Sequence, residues 1–304
     1  MDRRQKTSGK KTRRKNPLST SRRASKKYRK YERRLERLGL DMVRDFQKAI
    51  KQYLVPRVNE LAESYKNETF IMQDNVDRIT LERILETIAA TTFTTQSKQE
   101  LIRKVQELYK ELGVEYAADL ERLILQVSPD NLNALAISEN LQRVMSESSN
   151  NTVQALLREQ RELVANTQLL IGEGVQRGER WETIAKSLSG SIEGDAYRSA
   201  ANRAKFIARN EVTTALGEIN REQQAQAGIQ LYRWQTAEDE RVRATHRELD
   251  QKIFTWGNAA ITIDGKTYEP ASDPTYNAGA PTIPGQPWNC RCVGLPYIIG
   301  VDDE

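Results

Sequence analysis

The sequence predicts an α+β protein. A mostly helical N-terminal region precedes a small mixed α+β C-terminal domain, and a basic, largely disordered arm leads the chain. Three observations predict this. Lys and Arg crowd the first 37 residues. Apolar residues recur at steps of three and four from about Tyr28 to Gly228, the period of a helix with one buried face. Beyond Gly228 the pattern changes to short runs of branched and aromatic residues broken by Gly and Pro, which suit strands and turns. The expected division is an arm over 1–37, a helical region over 38–170 and a compact domain over 171–304.

Charge separates the arm from the rest. Residues 1–37 hold 17 Lys and Arg against 3 acidic residues, while the remaining chain holds 30 basic and 39 acidic. The overall net charge of +5 therefore averages a strongly basic arm with a mildly acidic body. Residues 1–26 carry no apolar period and cannot bury enough surface to offset the entropy of ordering. Their density of positive charge suits a polyanion, whose condensed counterions are released on contact. Arg3, Arg4, Lys10, Lys11, Arg13, Arg14, Lys15, Arg22, Arg23, Lys26 and Lys27 are the candidate DNA-contacting residues. Tyr28 and Tyr31 stand among these charges and fit either stacking on bases or the start of a helix face. No apolar run reaches 18 residues, so no membrane span is expected. The basic N-terminus has no apolar core after it and reads as no secretory signal. Two cysteines one residue apart make a poor disulfide, which fits a reducing cytoplasm.

The elements follow in order. Leu35, Leu38, Met42, Phe46, Ala49, Ile50 and Tyr53 form one stripe, and Pro56 should bend or restart the helix. Ile79 to Ala89 is a second helix, weakened by the threonines at 91–95. Ser97 and Glu100 offer a capping box for a third helix, which Gly113 should end or kink. Tyr116 to Val127 continues, stopped by Ser128-Pro129. Two helices are expected over 132–147 and 152–172, separated by Ser148-Ser149-Asn150-Asn151. A short helix follows Trp181, and a long one runs from Ala200 to Gln226 with Phe206, Val212, Leu216 and Ile219 inward. Strands are expected at Ile229–Thr236, Ile253–Trp256 and Val293–Ile299. Between them, Asp264-Gly265 flanked by Ile261-Thr262-Ile263 and Lys266-Thr267-Tyr268 marks a type I′ hairpin. Residues 269–289 hold five of the nine prolines and read as a loop.

Chemistry concentrates at the C-terminal end. The chain has one histidine and two cysteines, and His246, Cys290 and Cys292 all fall in its last quarter. Two thiolates and an imidazole suit a structural zinc ion, with Asp239, Asp250 or water as the fourth ligand. Against this, Cys-x-Cys is shorter than the usual zinc spacing. The alternative is that the cysteines are small buried hydrophobes and His246 hydrogen-bonds Asp239 or Asp250. Arg291 is expected to pair with one of those carboxylates. No glycine-rich phosphate loop or paired-carboxylate site is evident, so no catalytic residues are assigned and the chain is read as no enzyme.

Several of these stretches together resemble a known family. Ala208-Arg209-Asn210-Glu211 is similar to an Arg-Thr-Glu helix, with Asn210 in place of Thr. Trp234 precedes Asp239-Glu240-Arg241-Val242-Arg243 and His246, which resemble an Asp-x-Arg-x-Arg-x-x-His run. Leu249-Asp250-Gln251-Lys252 resembles Leu-Asp-Gly-Lys, with Gln251 replacing Gly. Pro287-Trp288-Asn289-Cys290-Arg291-Cys292 resembles a closing Pro-x-Asn-Cys-Arg-Cys. This ordered set, over about 170–299, resembles the Mu F-like C-terminal domain of the phage minor head protein, or head morphogenesis, family. The resemblance implies a minor capsid protein of a tailed phage that associates with the portal during procapsid assembly. It implies non-specific contact with packaged double-stranded DNA, and scaffold or major capsid protein as further partners. The expected location is the capsid interior near the portal, with the host cytoplasm during assembly. The alternative class is a metal-dependent nuclease or toxin-like enzyme built on the His and Cys-x-Cys cluster.

Overall fold

In a computed structural model, the structure describes residues 21–65, 74–127, 138–299 and Asp302. Helix α1 (Ser21–Ala49) leads through a π-helical turn, Ile50–Leu54, into α2 (Val55–Ser64). Pro56 does not restart the chain. It lacks an N–H for the usual ladder, and the helix widens just before it, with Val55 N–H bonding Ile50 O. Helices α3 (Asp74–Thr92), α4 (Thr95–Val127), α5 (Glu139–Gln176), α6 (Trp181–Glu193) and α7 (Asp195–Gln226) complete the helical body. No described helix is long and apolar enough to cross a membrane.

The C-terminal part is α+β, as expected. Strand β1 (Leu231–Gln235) lies between β2 (Ile253–Thr255) and β5 (Val293–Tyr297) in an antiparallel sheet of order β2-β1-β5. The register pairs Leu231 with Thr255 and Tyr297, and Gln235 with Val293. Helix α8 (Ala244–Leu249) sits between β1 and β2. Strands β3 (Ile261–Ile263) and β4 (Lys266–Tyr268) form the predicted hairpin, with Asp264 and Gly265 at φ 50° and 75°.

The basic arm is shorter as a separate element than the sequence implied, because residues 21–37 are helical. The helix is held from Tyr28 onward. Tyr28, Tyr31 and Leu35 are buried with Val105, Leu108 and Leu112 of α4, which supplies the apolar surface the arm itself lacks. Tyr28 Oη donates to Asp119 Oδ2 at 3.1 Å and Tyr31 Oη to Glu115 Oε2 at 2.6 Å, so neither ring is available for stacking on bases. Arg22, Arg23, Lys26 and Lys27 fall on the first turns of α1. Arg3, Arg4, Lys10, Lys11, Arg13, Arg14 and Lys15 lie outside the described residues.

Other boundaries also move. Helix α4 is capped by Thr94, whose Oγ1 accepts from Ser97 N at 3.1 Å, rather than by Ser97. It passes through Gly113 without a break. A Cβ at that position would lie 2.6 Å from Met145 Sδ, so glycine there permits close packing of α4 on α5. Helix α5 runs through 148–151, because Ser149 and Thr152 are buried and Thr152 Oγ1 meets Tyr109 Oη at 2.6 Å. Phe206, read as inward, is exposed. Phe206 instead stacks on Trp288, with ring centroids 6.4 Å apart. The expected boundary at 170 falls inside α5.

Helix α7 joins the two halves. It packs on α1, α4, α5 and α6 and also on β5. Ala208, Val212, Leu216 and Ile219 enter the helical core, and its polar face carries Asn220 and Gln224 to the sheet. Asn220 Nδ2 donates to Gly294 O at 2.7 Å, and Trp256 Nε1 donates to Gln224 Oε1 at 2.8 Å.

Candidate functional site

The site is built on β1, α8 and the segment before β5. Tyr232 and Trp234 of β1 pack with Trp256, Ala271, Ile283, Cys290 and Cys292 in a separate small core. Charged residues 239–243 and the short α8 carry His246 onto this core, where it is 2% exposed. The sequence reading missed α8, because its six residues are mostly polar and only His246 is buried. Trp234 stands edge-on to His246 with ring centroids 5.4 Å apart.

Cys290 and Cys292 approach the Nδ1 edge of the imidazole. Helix α7 holds their segment in place. Gly217 and Gly285 sit so close to it that added Cβ atoms would lie 2.4 Å from Pro284 O and 2.3 Å from Thr213 O. Asn210 Oδ1 accepts from Asn289 N at 3.2 Å, and Asn289 adopts φ 57° just before Cys290. Gln251 adopts φ 64°, where glycine is cheaper, and its side chain is tied to Gln235 Oε1 at 2.8 Å. Both departures from the motif pattern, Asn210 and Gln251, thus have a structural place.

The structure brings His246, Cys290 and Cys292 together, with their ligand atoms all within 4.8 Å of one another and all three residues buried. His246 Nδ1 lies 3.6 Å from Cys290 Sγ and 3.5 Å from Cys292 Sγ. Its Nε2 is 2.8 Å from Oδ2 of Asp273, a residue with no exposed surface. Thr275 clamps the other carboxylate oxygen through its N–H at 2.9 Å and its hydroxyl at 2.7 Å. The cysteines are free thiols, not a disulfide.

Asp239 is not part of this cluster. Its carboxylate is held by Arg291 at 2.6 Å and lies 3.8 Å from Arg241. A carboxylate beside a guanidinium gains more from that fork than from a distant ligand position. Arg291 thus pairs with one of the expected carboxylates, Asp239, while the partner of His246 is Asp273 rather than Asp239 or Asp250. Asp250 Oδ1 instead accepts from Thr236 N at 2.7 Å. Nothing local in Ser272-Asp273-Pro274-Thr275 marks Asp273 as special. Only the folded loop brings it to a histidine 27 residues away.

Charge in the site is polarised. Burial opposes protonation of His246, but Cys290 and Asp273 outweigh it and raise its pKa above the ordinary imidazole value. Burial likewise pushes the Cys290 thiol up, yet hydrogen bonds from Cys292 and His246 hold it well below the usual thiol value. Its hydrogen bond to Cys290 and burial push the Cys292 thiol well up. For Asp273, burial is outweighed by Thr275 and His246, which keep the carboxyl low. The Arg291 hydrogen bond holds Asp239 low. On its open side the cluster faces a cavity of about 180 Å³ walled by Arg209, Arg241, Arg243, Arg291 and Asn289. Two soft sulfurs, one oriented imidazole and a cationic antechamber can hold a metal ion or keep a thiolate charged.

Comparison with known proteins covers this part of the chain. Residues 165–295 match the family described as Phage Mu protein F like protein. This segment is similar to that family. The Mu F-like segment runs from the end of α5 into β5 and contains His246, Asp273, Cys290, Cys292 and the arginines of the cavity. An uncharacterized protein of Haemophilus influenzae is 30% identical over 116 residues, which is 38% of this chain and 22% of that relative. The matched part thus spans about a fifth of the relative's own length. No solved structure matches the chain.

Proposed function

We propose that this chain is a minor head protein of a tailed phage. In this reading it joins the portal during procapsid assembly and contacts packaged DNA without sequence preference or catalysis. The observation that carries it is the Mu F-like segment, which holds every residue of the site in one matched stretch. The basic arm adds independent support. Its 17 Lys and Arg residues lie at one end of an otherwise acidic chain, and α1 roots it directly in the helical core. With Tyr28 and Tyr31 buried, the arm's contribution is electrostatic rather than stacking. Scaffold and major capsid protein are further partners that a place in the head would entail.

Two experiments test this. Purified heads and procapsids are probed for the chain by mass spectrometry, together with portal co-purification. Absence from both, with even distribution in the lysate, overturns the reading. DNA binding is then measured across a salt series for the full chain and for a version lacking residues 1–20. Loss of most affinity and a shallower salt slope on truncation are expected. Equal binding by the truncated chain would move the DNA contact to the folded body. A metal-dependent nuclease is the competing reading. The engagement of Asp239 with Arg291 weighs against it, because the cluster among the described residues then has no carboxylate ligand. Chelator-sensitive DNA cuts in the same assay would restore it.

A further inference from the structure

The geometry points to a tetrahedral metal site of the Zn²⁺ class formed by Cys290, Cys292 and His246 Nδ1, with its fourth position open to an arginine-walled cavity that takes a phosphate-type anion. This inference stands apart from the head-protein reading.

The two sulfur-to-nitrogen distances are those such an ion requires. Zn–S bonds of about 2.3 Å and Zn–N bonds of about 2.0–2.1 Å at tetrahedral angles set each S···N edge near 3.5 Å. The two edges here are 3.6 and 3.5 Å. Hydrogen bonding alone does not account for this symmetry. Nε2 is engaged by Asp273, so Nδ1 is the ring atom left for the sulfurs. Whether Nδ1 carries a proton or a lone pair, it offers one directional hydrogen bond, whereas two sulfurs stand at nearly the same distance from it. An ion between the three atoms satisfies them all.

The surroundings fit as well. Asp273, wholly buried and clamped by Thr275, fixes the imidazole in the tautomer that leaves Nδ1 free to ligate. A carboxylate behind a ligating histidine is the usual way this orientation is set. The peptide N–H of Cys292 lies 3.4 Å from Cys290 Sγ, a donor that a metal-bound thiolate accepts. The Trp234 side chain also bears on the cluster, as a hydrogen-bond donor toward Cys292 that favours the thiolate.

Three protein ligands leave one position. The nearby acids do not fill it, since Asp239 is committed to Arg291 and Asp250 to Thr236 N–H. The side of the cluster that is open leads into the cavity, and its wall carries Arg209, Arg241, Arg243 and Arg291. Arg291 is neutralised by Asp239, but Arg209, Arg241 and Arg243 in the same wall leave an excess of positive charge that favours an anion with several oxygens over water alone. A free phosphate ion and a nucleic-acid phosphate share this chemistry.

The test uses the full chain. Metal content is measured after purification without added metal. The stripped chain is then titrated with Co²⁺, whose visible spectrum reports tetrahedral geometry and thiolate ligation. About one ion per chain with a tetrahedral thiolate spectrum is expected. The C290S, C292S and H246A substitutions should each abolish that spectrum. D273N should weaken affinity about 10–100-fold, and D239N should leave it unchanged. A second readout uses the unsubstituted chain, so that a folding defect in a ligand variant does not decide the result. Chelation should lower its melting temperature and Zn²⁺ should restore it. No bound metal, no Zn²⁺-dependent shift, or cysteine alkylation equally fast with and without Zn²⁺ would overturn the metal site. Inorganic phosphate and a short DNA duplex, at equal phosphate concentration, are then added separately to the Co²⁺ form. A spectral change with either supports the anion position, and the two arms identify the source. R243A should weaken the anion effect at least fivefold while keeping the metal. No change with either anion overturns that half of the inference.

Discussion

Replacing Gln224 with Met tests how the helical body is joined to the sheet. Gln224 has no exposed surface. Its Nε2 donates to Gly294 O at 3.1 Å and to Tyr116 Oη at 3.3 Å, and its Oε1 accepts the Trp256 indole N–H at 2.8 Å. Met keeps the length and most of the volume but makes none of these bonds. Gly294 O retains Asn220 as a donor, and Tyr116 Oη still donates to Asn220 Oδ1, so neither is stranded. Trp256 Nε1 is stranded, in a residue only 6% exposed. An unsatisfied buried donor costs about 1–3 kcal/mol, and the lost bond to Gly294 adds about 0.5–1 kcal/mol. A destabilisation of roughly 2–3 kcal/mol corresponds to a melting temperature lower by about 4–8 °C for a domain of this size. Urea unfolding followed by tryptophan fluorescence measures it. W256F removes the stranded N–H, so Q224M and W256F together should cost about 1–2 kcal/mol less than the sum of the single changes. A Q224M chain within about 0.5 kcal/mol of the parent, or a strictly additive pair, would refute the reasoning.

Three further outcomes are expected. Arg203 Nε lies 2.7 and 2.8 Å from the two oxygens of buried Glu159, and R203M should cost about 1–3 kcal/mol at neutral pH, the guanidinium being partly screened by solvent. Burial, against the pull of Arg203, already raises the Glu159 pKa, so the folded state binds its proton more readily than the unfolded one. The R203M deficit should therefore shrink as pH falls through the carboxylate range, and a pH series of melts that shows it constant would count against this assignment. G285A combines φ 95° with a Cβ 2.3 Å from Thr213 O and should cost at least about 2 kcal/mol. G265A meets nothing within 4 Å and should carry only the left-handed backbone penalty of about 1 kcal/mol. Equal melting temperatures for these two variants would show that the close approach of the loop to α7 is not tight.

Elements whose local chemistry and packing agree were legible in the sequence. The hairpin at 261–268 was read correctly because Asp264-Gly265 admits the required positive φ at both turn positions. The three sheet strands were legible from Tyr232, Trp234, Phe254 and Leu295, whose types suit a pleated surface. Helix ends decided by tertiary contact were not. Ser149 and Thr152 favour a break by propensity, but burial against α4 keeps α5 whole. In the site, His246, Cys290 and Cys292 stood out by rarity alone. Asp239 was chosen for its nearness in sequence to His246, and Arg291 claims it instead. Asp273 could not be found, since a proline-rich loop gives no sign of where its carboxylate will point.

Helix α7 has a practical consequence for anyone isolating the recognisable part. Segment 165–295 starts inside α5 and contains all of α7, but leaves behind α1 and α4. In a fragment cut at those limits, Val212, Ala215, Leu216 and Ile219 would meet water, having lost Tyr31, Leu35, Leu108 and Leu112 as neighbours. Burying four such side chains contributes several kcal/mol, comparable to the whole stability of a small domain. The stretch that can be recognised by comparison is therefore smaller than the stretch that can stand alone.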